Sequence, residues 1–409
     1  MDKLLQIEEP AAPAAIPPSL RAFLEMGFRP LYLAGTAWAL VAVALWIFLP
    51  QLLQGTLAGI AWHAHEMMWG FVATIAVGFL MTAGANWTGV NPTPPGALLA
   101  ACVFWLLARI GFLGNSPAWF WLGFGAESAF FLLAAGAMAR AVYGTRNRRN
   151  YAVPLLLLGL GVTDVLYLLA ALGGDYGLLM QRFNAGLLCM AVIALLVGRR
   201  VIPFFAMRAV PGLTIPMQER SGLAQLAAGV LAVLCVLLQL QWPLVLTLAA
   251  AGAIPLWQLL TWKPRAVRHK PLLWILYAGY AGLGAGLLVA AAQAAGLPLR
   301  PAVHVHVIAM GGFSLLIIGM VTRTALGHLG RPLATDRSMV VSYWLMLAAT
   351  VLRLGALHPS PLSAFLLQGA AFAWIAALAL YLWRFSPWMI RPRPDRPSAP
   401  VAVTVSKRS

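Results

Sequence analysis

Apolar runs of about 20 residues recur along the chain, separated by short joints rich in Pro, Gly and Arg. About 20 consecutive apolar residues is what an α-helix needs to cross the hydrocarbon of a bilayer. Twelve such runs predict membrane-spanning helices, at approximately 31–49, 60–82, 95–114, 117–139, 151–172, 177–197, 222–241, 244–262, 271–295, 301–322, 339–356 and 361–384. The fold expected is all-α, a polytopic membrane protein of twelve transmembrane helices. It divides into an N-terminal segment 1–30, a helical domain 31–384 and a basic tail 385–409.

Composition agrees: the chain is 61% hydrophobic and 10% charged with mean hydropathy +0.83, too apolar for a water-soluble protein. The net charge of +17 does not point to nucleic acid, because the basic residues alternate by joint. Arg140, Arg146, Arg148 and Arg149 fall between spans four and five, Arg199, Arg200, Arg208 and Arg220 between six and seven, and Lys263, Arg265, Arg268 and Lys270 between eight and nine. The intervening joints are almost uncharged. An excess of Lys and Arg marks the cytoplasmic side, so both termini are expected there. Asp2, Glu8 and Glu9 in a Pro/Ala-rich start are the wrong flank for a cleavable signal peptide, and the first span is expected to remain as an anchor. Cys102, Cys189 and Cys235 have no paired spacing that suggests a disulfide or a thiolate metal site.

One pattern occurs twice. His63-Ala-His65 is followed by Gly70 and Gly78, and His304-Val-His306 by Gly311 and Gly319, so four of the seven histidines share one glycine frame. Each helical residue advances about 100°, so histidines two apart project from nearly opposite sides and do not easily chelate one small ion. Two such helices can instead grip large flat cofactors, one on each flank, with His63, His65, His304 and His306 as axial ligands of haem. On the expected topology both pairs lie near the outer boundary. Arg109, Arg182 and Arg353 fall at the same level, where they either clamp haem propionates or simply snorkel to the membrane surface. Glu127 and Asp164 lie too deep to snorkel and are either the start of a proton path or protonated structural carboxyls. Glu66 sits beside neither histidine's face on an ideal helix. Met67 and Met310 are either soft copper ligands or apolar filling. His328 lies about 36 Å from His304 at 1.5 Å per residue, on the opposite side of the membrane, while His358 is in an outer loop and His269 in a basic, solvated joint. No nucleotide-binding or hydrolytic motif is present.

Trp62-His63-Ala64-His65-Glu66-Met67, Gly78-Phe79-Leu80-Met81-Thr82-Ala83, Asn86-Trp87-Thr88-Gly89, Gly198-Arg199-Arg200-Val201-Ile202-Pro203-Phe204-Phe205 and Met320-Val321-Thr322-Arg323-Thr324-Ala325-Leu326-Gly327-His328 together resemble the NnrS family over most of the chain. That resemblance implies a multi-pass protein of the bacterial inner (cytoplasmic) membrane, associated with the nitric oxide response and nitrosative stress and containing haem and copper. The arrangement also looks like the large subunit of haem-copper oxidases and nitric oxide reductases, which carry histidine on span two and two histidines two apart on span ten. Those enzymes take their active-site metal from histidines on spans six and seven. Here these spans offer Arg182, Asn184, Cys189, Met190 and Cys235, so any copper site must be built otherwise, with Met67, Met310, His358 and His328 as candidates.

The expectation is a membrane protein with one or two b-type haems that binds nitric oxide or another diatomic gas. Reductive removal of that gas, with electrons from a quinol or redox protein, is the enzymatic form of this expectation. The competing classes are a transporter or exporter of a metal, haem or nitrosylated complex, and a non-enzymatic gas sensor.

Overall fold

The computed structural model describes residues 17–300 and 302–394; the acidic start of the N-terminal segment and residues 395–409 of the basic tail lie outside the described residues. Among those described, twelve helices are long and apolar enough to cross a membrane. They are α1 (Phe28–Phe48), α2 (Gly59–Thr88), α3 (Pro95–Leu113), α4 (Pro117–Gly144), α5 (Ala152–Gly173), α6 (Tyr176–Ala209), α7 (Glu219–Leu237), α8 (Gln241–Thr261), α9 (Pro271–Ala294), α10 (Ala302–His328), α11 (Arg337–Gly355) and α12 (Ser363–Met389). The described residues form no β-strand.

Each expected span is present. The largest boundary difference is α6, which continues to Ala209 because Gly198-Arg199-Arg200 carries the helix on past its apolar run. Start and stop signals are local. Asp175 and Asp336 cap α6 and α11 by accepting from Leu178 N (3.0 Å) and Met339 N (3.1 Å), which satisfies N–H groups with no partner inside the helix. Gly89 and Gly174, at φ 73° and 69°, end α2 and α5 in the left-handed region that glycine enters without steric cost.

Consecutive helices pack on one another, and α12 closes the bundle against α1. At that seam Arg29 Nη1 donates to Met389 O (3.0 Å) and Arg391 O (2.7 Å), and Ser19 N to Ile390 O (2.8 Å). The two described ends therefore lie at the same end of the bundle, as an even number of spans requires. The most apolar window of α2 is 83% buried and that of α6 72%, with α9 and α10 at 61%, against 28–44% for the other eight. Four inner helices are thus wrapped by eight whose exposed side chains include Leu106, Leu132, Leu246 and Phe365, an apolar outer surface suited to lipid.

Both histidine-bearing helices change winding directly after their motif. Glu66–Ala73 in α2 and Val307–Ser314 in α10 are π-helical, a form that is rare and frequently marks functional sites. Each segment ends on a hydroxyl that reaches back five residues. Thr74 Oγ1 donates to Trp69 O (3.2 Å) and Gly70 O (2.9 Å), and Ser314 Oγ to Ala309 O (2.9 Å).

Candidate functional site

Inside the bundle, between α2, α3, α4 and α5, five ionisable side chains meet without water-facing surface. His65, Glu66 and Asp164 are fully buried, and Arg109 and Glu127 nearly so. His65 Nδ1 is 2.9 Å from Glu66 Oε1, and its Nε2 is 3.0 Å from Asp164 Oδ1 and 3.3 Å from Glu127 Oε2. Arg109 ties the other side: Nη1 donates to Glu66 Oε2, and Nη2 lies 2.5 Å from Glu127 Oε1. Trp38 Nε1 completes the Glu66 shell at 2.5 Å. Gly70 leaves room for this junction, since a Cβ there would fall 2.8 Å from Glu66 Oε2 and 3.1 Å from Trp38 Nε1. Phe112, Tyr167 and Trp69 ring the imidazole.

Charge counting constrains this cluster. With His65 neutral, three carboxylates against Arg109 leave two negative charges. Buried charges persist only when paired, so two protons or one divalent cation must be added. An ionised carboxylate only accepts hydrogen bonds, and both ring nitrogens of His65 face carboxyl oxygens. The cluster therefore holds protons on the imidazole, on a carboxyl, or on both. Asp164 Oδ2 is buried with no hydrogen-bond partner. One ligand atom from each of His65, Glu127 and Asp164 falls within 4.8 Å of the others, the set here that could take a metal ion.

The remaining motif histidines go elsewhere. His63 stacks on Trp46 at 5.0 Å and 13°, and its Nδ1 is buried without a partner. It stands close enough to His306 and Arg353 for their charges to act on it. His306 Nδ1 donates to Ala302 O at 2.8 Å, which leaves the ring's free lone pair on Nε2. His304 has both nitrogens engaged, Nδ1 with Gln293 Oε1 (2.8 Å) and Nε2 with Asn184 Oδ1 (2.9 Å).

The four histidines therefore do not form one site. Arg109, expected to reach haem propionates, instead holds two of the protein's own carboxylates, because Glu66 and Glu127 are the nearest anions and all three are shut off from water. Arg353 lies within electrostatic reach of both His63 and His306. Arg182 is half-buried on α6, two residues from Asn184. Glu66, placed by ideal helical geometry beside neither histidine, bonds His65 at the point where the helix widens into its π segment. Glu127 and Asp164 were legible singly as deep carboxyls, but their meeting on His65 carried no sequence signal.

Met67 and Met310 pack against the apolar core, His358 and His269 are exposed, and His328 packs on Phe28 at the far end of α10. The profile of the NnrS protein family matches residues 22–393. The chain belongs to the NnrS family. No curated protein matches it. For a haem, the nitrogens of His63 and His306 fit: one is buried and unpartnered, and the other is oriented by a backbone carbonyl on its far nitrogen, as ligand imidazoles commonly are. For copper, the residues of this NnrS-family chain fit poorly. The one three-residue donor group among the described residues is rich in carboxylate oxygen, which suits hard ions better than the cuprous ion.

Proposed function

We propose that this NnrS-family protein is a membrane haem protein that handles nitric oxide, with His63 and His306 as the haem ligands. The observation that carries the reading is the His63 and His306 pair, drawn from two separate helices, with an unpartnered buried nitrogen and Arg353 at hand for a carboxylate. The link to nitric oxide rests on what the family resemblance implies. A haem held there by both histidines would supply an iron that carries electrons, and a diatomic gas would bind it where one of the two imidazoles gave way. Reduction of two nitric oxide molecules to nitrous oxide and water consumes two electrons, from a quinol or redox protein, and two protons. His65 stands two residues from His63 on α2 and is bonded to Asp164 of α5 and paired with Glu127 of α4, so this cluster is the store of protons next to the proposed haem ligand in the chain.

A visible spectrum of the purified protein, with and without dithionite and nitric oxide, tests this. A stoichiometric Soret band that shifts with nitric oxide is expected in wild type, lost in His63→Ala and His306→Ala and kept in His269→Ala. A wild-type protein without that band overturns the reading. A second reading, transport of a divalent metal, is favoured by the unpartnered Asp164 Oδ2 within the His65, Glu127 and Asp164 group. It requires metal in the purified protein that Asp164→Asn removes, with no Soret band.

A further inference from the structure

At the end of the bundle away from the histidine pairs, the ends of α2, α6 and α10 and the starts of α5 and α7 enclose a cavity of about 1220 Å³. Six arginines line it, Arg148, Arg149, Arg199, Arg200, Arg208 and Arg323, against one carboxylate, Glu219. The preference for basic residues on one side of a membrane accounts for Arg148, Arg149 and Arg208, which are exposed. It does not account for Arg323, which is 6% exposed and lies within α10. Its guanidinium sits 3.9 Å over the ring of Phe205. Among the described residues it makes no hydrogen bond or ion pair to a protein oxygen. Arg200 is bonded only to neutral acceptors, Asn150 Oδ1 (2.9 Å) and Arg149 O (3.1 Å), and Arg199 Nε is buried without a partner.

Like charges gathered in a partly enclosed space repel one another, and a buried guanidinium without an anion is costly. Guanidinium forks match phosphate oxygens two at a time, and several forks arriving from different helices suit a group with more than one negative charge. We propose that this cavity is a binding site for a phosphate-bearing ligand, with Arg199, Arg200 and Arg323 as its inner contacts and Arg148, Arg149 and Arg208 at its mouth. The site is independent of the haem reading, since it lies at the other end of α2 and α10. It also gives a role to the Gly198-Arg199-Arg200 and Arg323-to-His328 stretches, which the histidine sites leave unused.

The test uses full-length protein in nanodiscs of phosphatidylcholine, titrated calorimetrically with pyrophosphate at constant ionic strength set by sodium chloride, and in parallel nanodiscs containing phosphatidylglycerol, followed by thermal unfolding. Saturable pyrophosphate binding, weakened at least tenfold in Arg323→Gln and in the exposed variant Arg208→Gln, identifies a soluble phosphate compound. Stabilisation by phosphatidylglycerol alone, lost in the same variants, identifies a lipid headgroup. Binding of neither, or binding unchanged in both variants, overturns the proposal. Arg208→Gln keeps the test decisive should Arg323→Gln fail to fold, because Arg208 is exposed and its guanidinium lies over the nearby Phe204 ring.

Discussion

Arg109→Met removes the one fixed positive charge of the buried cluster while nearly preserving side-chain bulk. Its guanidinium contacts Glu66 and Glu127, and all three are at most 2% exposed, so water does little to screen the loss. Breaking a buried ion pair by removing one partner costs about 3–5 kcal/mol, and the two pairs share one cation, so their losses do not add. The folded chain can limit the damage by taking up a proton. Protonating a carboxylate of ordinary acidity, near 4.3, at pH 7 costs about 3.7 kcal/mol, from about 1.36 kcal/mol per unit. The expected penalty at pH 7 is therefore about 3–4 kcal/mol, a loss of roughly 10²- to 10³-fold in the folded-to-unfolded ratio. It falls by about 1.4 kcal/mol per unit as the pH is lowered toward 5, because the proton becomes cheaper to supply. Reversible denaturation in detergent at several pH values measures it, and Glu127→Gln placed in the Arg109→Met background is expected to recover much of the loss. A penalty under about 1 kcal/mol, or one independent of pH between 5 and 8, would mean that Arg109 is not paired as described.

Three further outcomes follow from local geometry. Thr74→Val and Ser314→Ala each remove a hydroxyl that covers a carbonyl at the end of a π segment. Each is expected to cost about 0.5–1.5 kcal/mol, read as a lowered unfolding midpoint, with little change in helical content by circular dichroism. Gly282→Ala drives a Cβ onto the Gly311 carbonyl of α10 and is expected to cost about 1–3 kcal/mol, whereas Gly136→Ala, with open space around it, is expected to be silent in the same melt. Asp336 is raised somewhat by burial, but hydrogen bonds from Ser338 and Met339 N and the Arg384 guanidinium outweigh this and hold its carboxyl below the ordinary range. A carboxyl so depressed contributes stability above its unfolded value near 3.8 that is lost as the pH falls through its folded value. Asp336→Ala should flatten the acid limb of the stability profile below about pH 4 and cost about 0.5–2 kcal/mol through the lost cap.

The spans were legible because the hydrocarbon imposes one length on every helix, and twelve apolar runs announce themselves without tertiary information. Their boundaries were less so. Nothing in the apolar count reveals that α6 continues through Arg199 and Arg200 to Ala209, since a helix can leave the membrane without unwinding. Two glycines of the repeated frame, Gly78 and Gly319, admit close neighbours, Leu31 and Ile275 among them. Gly70 instead accommodates charged side chains. What the sequence hid was the company each buried charge keeps: Glu66, Arg109, Glu127 and Asp164 stand on four different helices, and only the packing of α2 against its neighbours decides that they converge on His65. The π winding was hidden too, because it depends on carbonyls finding Thr74 and Ser314.

The repeat itself bears on how many haems the proposed site would hold. If each copy of the motif contributed equally, two cofactors would each take one histidine from α2 and one from α10, using all four. The proposed pairing is crossed: the leading histidine of the first copy, His63, lies within electrostatic reach of the trailing histidine of the second, His306. The crossed partner pair would be His65 and His304, and these are held apart by different surroundings. His65 has carboxyl oxygens at both nitrogens, and His304 has amide oxygens at both. Freeing His65 for a metal would leave fully buried carboxyl oxygens unpaired, and freeing His304 would leave two half-buried amide oxygens unpaired, at up to about 1–3 kcal/mol for each neutral group and more for a charged one. The first copy has thus become an ionic centre and the second an amide-held one, with one histidine from each left for a shared ligand. Pyridine haemochrome analysis of the purified protein is accordingly expected to return one haem per chain, unchanged in His304→Ala; two per chain, falling to one in that variant, would show that His304 gives up its amide partners to bind iron.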